Sequence, residues 1–384
     1  MIKIRRVRGK RDLRRFIKMA WSLYKGNQHW VPPLISDMEQ MLTPGRNPFW
    51  ENAERQLFLA LKDEKIVGRI AAIVSFNHNK LYNEKTGFFG FYESADDQDV
   101  AHALYEAAEE WLASLQMTHM RGPMNPNINE EIGFVVDGFD EDPFVMMPYT
   151  LPYYPKLAEK EGLAKIKDVY SYWAPTAAGM PEKVERIVKT IKKRYKITLR
   201  PADMKNIEAE TALIKEVHDE AWSQNWGAVP FTDAEFDLIV KKLKPVVIPD
   251  FVPIVELDGK VVAMAVATPD ANQILRYANG RLFPFGFIKV LLNQHKVNRV
   301  RIMILGVLSA YRRYGFDALL YYELFKAAQK HGFVGGEFSW ILEDNVKMIN
   351  LIESWGGKIT KTYRVYQKPI KPVDKSKRKW DYLF

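Results

Sequence analysis

Residues capable of chemistry concentrate in Leu305–Leu319 (LGVLSAYRRYGFDAL), where an apolar run passes through Arg312-Arg313-Tyr314-Gly315-Phe316 into a helical pattern. The first backbone N–H groups of a helix have no partner of their own, and a glycine beside them admits close approach. Such a turn cradles a pyrophosphate while flanking arginines add charge. Leu305 and Val307 on the strand, with Arg312, Arg313, Tyr314, Gly315, Phe316 and Asp317 in the turn, form the candidate ligand-binding set. An ordinary strand-to-helix turn with solvated arginines fits the same residues. Further along, strand alternation places Glu337, Ser339 and Ile341 on one face, with Glu343 at the strand exit. Both carboxylates are candidate general bases, and Tyr363 and Tyr366 on the closing strand are candidate proton donors. Glu343-Asp344 also fits helix capping at Asn345.

The first half carries a different composition: Gly87–Phe91 (GFFGF), Arg121–Pro126 (RGPMNP) and Met146–Pro155 (MMPYTLPYYP) are aromatic, methionine and proline residues broken by single polar groups. That suits an apolar pocket with a few orienting hydrogen bonds, although turns and core would read alike. Asn125 and Tyr149 are its candidate substrate contacts, together with His78, which lies between Asn77 and Asn79 after a strand, and Trp226. With no cysteine in the chain, disulfides, thiolate metal sites and cysteine nucleophiles are excluded. The seven histidines show no paired metal spacing, so no metal is expected. No Ser-His-Asp order can be argued.

The elements that position these residues repeat. Ala20-Trp21-Ser22, Asn27, Trp30 and Val31-Pro32 return as Ala221-Trp222-Ser223, Asn225, Trp226 and Val229-Pro230. Phe58–Ala72 returns around Pro253–Ala267, aligning Asp63 with Asp258, and the helical pattern Val100–Leu115 corresponds to Ala318–Lys330. Ordered long-range matches of this kind mark a duplication. The chain therefore reads as two copies of one α/β unit joined near Pro175–Met180: residues 1–174, residues 181–370, and a basic and aromatic tail over 371–384. In the second copy the patterns predict strands at Lys196–Arg200, within Phe251–Thr268, and at Val297–Leu308, Gly336–Leu342 and Ile359–Gln367. Helices are predicted at Asn206–Trp222, Tyr311–Lys330 and Val346–Trp355. The result is a mixed twisted sheet with helices on both faces.

At 384 residues, with 47% hydrophobic and 27% charged residues, the chain has enough apolar material for two cores. Its net charge of +9 is confined to the ends: eight basic residues against Asp12 in residues 1–15, and five against Asp374 in residues 371–379. Nucleic-acid binding would want a basic face within the body, so an anionic membrane surface suits this placement better. The final Trp380–Phe384 reads as an interfacial anchor or as a solvated tail. No run of 18 apolar residues occurs and the opening residues are charged, so a cytoplasmic protein is expected, with peripheral contact at the inner face of the membrane through its basic termini.

The Arg312-x-x-Gly315 turn resembles the acyl-CoA-binding motif of the GCN5-related N-acetyltransferase (GNAT) superfamily, and Glu343–Met348 with Leu351–Gly356 is similar to that family's downstream asparagine-containing element. The resemblance implies an α/β fold of two tandem GNAT-like units and acyl-CoA or acetyl-CoA as co-substrate. It adds Asn345 to the binding set. Asp317 stands where the family has Gly or Ala, and Ile352 follows the position where many relatives carry a tyrosine acid. In the first copy the equivalent turn is Ser94–Val100 (SADDQDV), acidic where a phosphate needs the opposite, so one acyl-CoA site is expected, in the second copy. More closely, the chain is similar to tandem acyltransferase-like bacterial proteins with GFFGF, RGPMNP and SWxLEDN elements, a neighbourhood that includes ceramide synthesis.

The implied reaction is direct attack of a neutral amine on an acyl thioester, which needs a base, an oxyanion donor and an acid but no covalent nucleophile. The acceptor is then a small-molecule or lipid amine, with no nucleic acid. Two other activities stay open on sequence alone: an aminoacyl-tRNA-dependent transferase of the cell-wall cross-bridge type, and a non-catalytic acyl-CoA sensor or membrane-surface scaffold.

Overall fold

The computed structural model describes residues 1–371, so the aromatic end of the predicted tail lies outside the described residues. Two compact units appear: Met1–Asp168 with the chain from Tyr363 onward, and Val169–Thr362.

In the first unit, β1 (Ile2–Arg6), β2 (Ala53–Lys62), β3 (Lys65–Ser75), β4 (Thr86–Ser94) and β5 (His119–Gly122) lie side by side in that order. The sheet is antiparallel except for the parallel β4–β5 pair. Short strands β6 (Met124–Asn125), β7 (Glu131–Ile132) and β8 (Phe134–Asp137) follow. The helix Gln98–Ser114 buries Leu104, Tyr105 and Leu112 against Phe58, Ile70 and Phe89 of the sheet. Its apolar positions recur at helical spacing, and burying that stripe is what holds it on the sheet.

The second unit repeats the plan. Strands β9 (Ala164–Pro175), β10 (Ile197–Pro201), β11 (Pro253–Leu257), β12 (Lys260–Pro269), β13 (Arg299–Val307), β14 (Gly335–Leu342) and β15 (Lys358–Pro369) occur along the chain. Within the unit the sheet order is β10-β11-β12-β13-β14-β9, with β13–β14 the parallel pair. The helix Phe316–Lys330 plays the part of Gln98–Ser114, burying Leu319, Leu320 and Leu324 among Val255, Val262 and Ala265. Both β2–β3 and β11–β12 close with two-residue turns whose central residues, Asp63-Glu64 and Asp258-Gly259, all have positive φ. That turn matches the twist of the flanking strands, so the aligned aspartates mark the same bend in both copies.

The compact units divide inside β9 and β15. Each is 12 residues long and has its two ends in different units: Val169–Pro175 of β9 pairs with β14, whereas Tyr366–Pro369 of β15 pairs with β5. Helices Glu182–Arg194, Asp233–Leu243 and Gly286–Asn293 were not anticipated from the sequence.

Candidate functional site

The site begins where two parallel strands part. β13 and β14 are paired only over Arg299–Ile302 and Gly335–Phe338. On β13, Ala267 faces Ile302 but Val266 faces Ile304, so Met303 is an extra residue. On β14, Phe338 faces Tyr172 but Ile341 faces Tyr170, so one residue is extra there as well. A bulge bends and twists its strand. Two bulges immediately after the last shared rung commit β13 to β12 and β14 to β9, so the two strands share no rung beyond Ile302 and Phe338 and a cleft opens between them. A parting of strands suits an extended ligand.

At the far end of β13 lies the glycine turn. Tyr311, Arg312 and Tyr314 donate backbone N–H groups back into the turn at 2.8, 3.4 and 3.0 Å. Among the described residues those of Arg313, Gly315, Phe316 and Asp317 find no acceptor. Gly315 caps the Phe316–Lys330 helix with φ of +83°, and a Cβ there would stand 3.1 Å from Ile191 Cδ1. The positive φ is what requires glycine here, and a Cβ would also crowd the Glu182–Arg194 helix at Ile191. Arg312 is exposed and donates from Nη2 to the Ala221 carbonyl at 3.1 Å; Arg313 is exposed. Leu305 and Val307 are half-buried on β13, Tyr314 lies tilted against Tyr195 with ring centroids 4.8 Å apart, and Phe316 is fully buried in the core. Asp317 accepts from its neighbour's N–H, and its other oxygen lies 3.8 Å from Lys347 Nζ. Lys347 thus offsets the carboxylate of Asp317, a role sequence reasoning missed although the residue belongs to the Glu343–Met348 motif; Glu220, a second carboxylate at the turn, accepts from Ser309 N–H and Oγ at 2.9 and 2.7 Å. The free N–H groups and cations fit a pyrophosphate.

Asn345 caps its own helix, accepting from Met348 N–H at 3.2 Å, and its Nδ2 makes no hydrogen bond among the described residues. Glu343 is half-buried ahead of that cap. Ile352, next to the position of the family's tyrosine acid, is completely buried in the core.

Glu337 sits at the base of the cleft, on the rung opposite Arg301. Its side chain is fully buried, as nearly are Arg301 and Ser339. Ser171 donates its hydroxyl to Oε1 at 2.6 Å, while Oε2 lies 3.6 Å from Arg301 Nε and accepts no hydrogen bond among the described residues. Arg301 Nε bonds Ser339 Oγ at 3.2 Å. Burial pushes the Glu337 pKa up, against the pull of Arg301 and the serine hydroxyls. A buried carboxyl whose pKa is raised binds a proton more readily than an exposed one. Sequence reasoning names Glu337 but not its neighbours Arg301 and Ser171, nor the pair of buried Asp270 with Arg299 at 2.8 Å. The available signal was two arginines inside an otherwise apolar strand.

Tyr363 is fully buried and is counted with the first unit, whereas Glu337 belongs to the second. Tyr366 donates to Glu159 at 3.0 Å within the first unit.

The first-unit candidates have separate partner sets. His78 is buried between Glu84 (3.3 Å) and Arg121 (3.5 Å), and burial lowers its pKa. Tyr149 donates to the Phe139 carbonyl at 2.8 Å and accepts from Asn27 at 3.3 Å. Asn125 accepts from Phe91 N–H at 2.5 Å and donates to Glu131 at 3.1 Å. It lies where the first unit repeats the strand bulge: Arg69 faces Glu93 but Ala71 faces Gly90, beyond a β4–β5 pairing that stops at Phe88 and Arg121. The chain itself fills that opening. A Cβ on Gly90 would come within 1.8 Å of the Met124 carbonyl oxygen, so β6 lies directly on the strand. Asp97 caps the helix that follows, accepting from Asp99 N–H, which occupies the first unit's counterpart of the anion turn. Trp226 is half-buried in the second unit.

No protein-family model matches the chain. The bacterial ceramide synthase of Caulobacter vibrioides is 36% identical over 366 residues, covering 94% of this chain and 95% of that protein. Protein YghO of Escherichia coli is 34% identical over 374 residues, covering 96% and 95%. Among solved structures, a tandem GNAT protein from the clavulanic acid biosynthesis pathway matches with a TM-score of 0.59 at 12% identity, covering 97% of this chain and 100% of that one. A probable N-acyltransferase from Enterococcus faecalis matches with a TM-score of 0.53 at 11% identity, covering 97% and 73%. At these identities the structures speak for the fold, and the two relatives for the family. The chain has the fold of a tandem GNAT protein and belongs to the family of the Caulobacter ceramide synthase and YghO.

Proposed function

We propose that the second unit binds a long-chain acyl-CoA and transfers the acyl group to the primary amine of a lipid such as a sphingoid base. The observation that carries this reading is the parting of β13 and β14 over the buried Glu337, with the anion turn at the end of the same strand. Arg313, Lys347 and the N–H groups of Arg313, Gly315, Phe316 and Asp317 hold the pyrophosphate, and the parting of β13 and β14 beyond Ile302 and Phe338 receives the pantetheine. Glu337 Oε2 accepts the proton that the amine loses as its C–N bond forms at the thioester carbonyl, and that proton returns to the sulfur as the C–S bond breaks, releasing CoA as the thiol and leaving Glu337 ionised. The lipid acceptor is supported by the name of the Caulobacter relative.

A ligand bound only by the native protein stabilises it, by about 2.7 kcal/mol at a hundred times Kd. Thermal unfolding with CoA, acetyl-CoA and palmitoyl-CoA below its micellar concentration should give shifts that grow with acyl length and shrink when Arg312 and Arg313 are both replaced by alanine. Equal shifts for CoA and palmitoyl-CoA would refute the long-chain reading, and no shift with any thioester would refute the site.

A further inference from the structure

Between β12 and β13, residues 271–298 form an excursion whose apolar side chains face the wrong way for a core. Phe283, Phe285, Leu291 and Leu292 are 77, 68, 56 and 70% exposed. Along the helix Gly286–Asn293, at about 100° per residue, Phe287, Ile288, Leu291 and Leu292 fall on one stripe and all are exposed, while Gly286 on the opposite side is buried. A Cβ on Gly286 would meet the Arg281 carbonyl oxygen at 1.8 Å, so that side packs tightly and fixes the stripe outward. Surface helices of globular proteins bury such a stripe, and a contiguous exposed patch marks an interaction surface.

The same segment contains Arg276, Arg281, Lys289 and Lys296 and neither Asp nor Glu. Arg281, Lys289 and Lys296 are exposed, with Lys296 bonded to Tyr277 Oη at 3.0 Å. Phenylalanine and leucine at the tip, cations at the rim and no carboxylate are complementary to lipid tails beneath anionic headgroups. We infer that residues 281–292 dock the enzyme on an anionic bilayer. The excursion joins β13 at Arg299, beside the Glu337–Arg301 rung and roughly 26 Å along the strand from the anion turn at the rise of an extended chain. The inference stands on exposure and charge, and does not rest on the acyl-transfer reading.

The test is flotation of the full chain with vesicles of 70% phosphatidylcholine and 30% phosphatidylglycerol, and with phosphatidylcholine alone. Wild type should bind the anionic vesicles. Arg281→Ser with Lys289→Ser should weaken binding roughly thirtyfold, from about 1 kcal/mol per cation. Phe283→Ser, Phe285→Ser and Leu292→Ser together should weaken it about a hundredfold or more. Thermal unfolding should be unchanged in both; if the triple variant is unstable, Leu292→Ser alone should weaken binding about tenfold. Wild-type binding by any folded variant would assign the contact elsewhere, the basic termini included, and overturn the inference. Self-association in sedimentation, abolished by the triple variant and with no vesicle binding by wild type, would make the face a contact between copies and also overturn it.

Discussion

Replacing Glu337 with glutamine separates chemistry from architecture. The amide keeps the volume and the acceptor that Ser171 bonds at 2.6 Å, but cannot take a proton at Oε2. Loss of a general base costs about a hundredfold to ten-thousandfold in rate, or about 3 to 5 kcal/mol of transition-state stabilisation. We expect kcat for amine-dependent CoA release, followed with a thiol reagent, to fall in that range while KM for acyl-CoA stays within about twofold. Stability should move the other way. Burial raises the Glu337 pKa, so the folded state holds this proton more tightly than the unfolded one. The resulting stabilisation is full below the ordinary carboxyl pKa of about 4.3 and is lost as pH rises through the folded value. Glutamine has no such slope, so the variant should gain stability relative to wild type between acid and neutral pH. The acid limb of the wild-type kcat/KM profile should lie above the ordinary carboxyl range and vanish in the variant. Activity within about threefold of wild type with an unchanged profile would leave Glu337 as a structural partner of Arg301 and refute the reasoning.

Other outcomes follow from the same geometry. Asn125→Ala removes the acceptor of Phe91 N–H and the donor to Glu131, and urea unfolding should show about 2 to 3 kcal/mol of lost stability with KM for acyl-CoA unchanged. Arg312→Ala with Arg313→Ala should raise KM for acyl-CoA by roughly tenfold or more with kcat nearly unchanged, and should flatten the dependence of KM on salt. Asp168 is bonded to Arg364 at 2.8 and 3.0 Å and to Lys165 at 2.8 Å. Burial raises its pKa but these partners outweigh it, so the net shift is downward. Its stabilisation is present above the ordinary Asp pKa and lost as pH falls through the depressed value. Asp168→Asn should cost about 3 kcal/mol at neutral pH, and the gap to wild type should close in acid.

Much of this was legible in the residues. The duplicated Asp63 and Asp258 turns, the paired helices and the strand–turn–helix at Gly315 rest on local patterns, and the observed elements follow them closely; the predicted helix from Tyr311 instead begins at Phe316, because Gly315 holds positive φ at its cap. What escaped depends on non-local placement. Asn125 looks like a polar group in an apolar pocket, yet its oxygen pins a strand bulge that the sequence does not reveal. Ser171 lies 166 residues from Glu337 and meets it only because β9 and β14 pair. The run Leu282–Leu292 has the composition of a core segment, and periodicity cannot distinguish an apolar stripe facing inward from one facing out.

The central claim is acyl transfer to a lipid amine, and mass spectrometry of the product tests it most directly. Purified protein with palmitoyl-CoA and sphinganine should form N-palmitoyl sphinganine and release free CoA, with the amide absent when either substrate is omitted and much reduced in Glu337→Gln. Absence of the amide with every acyl-CoA and amine pair tried, from protein that palmitoyl-CoA stabilises against unfolding, would contradict the account.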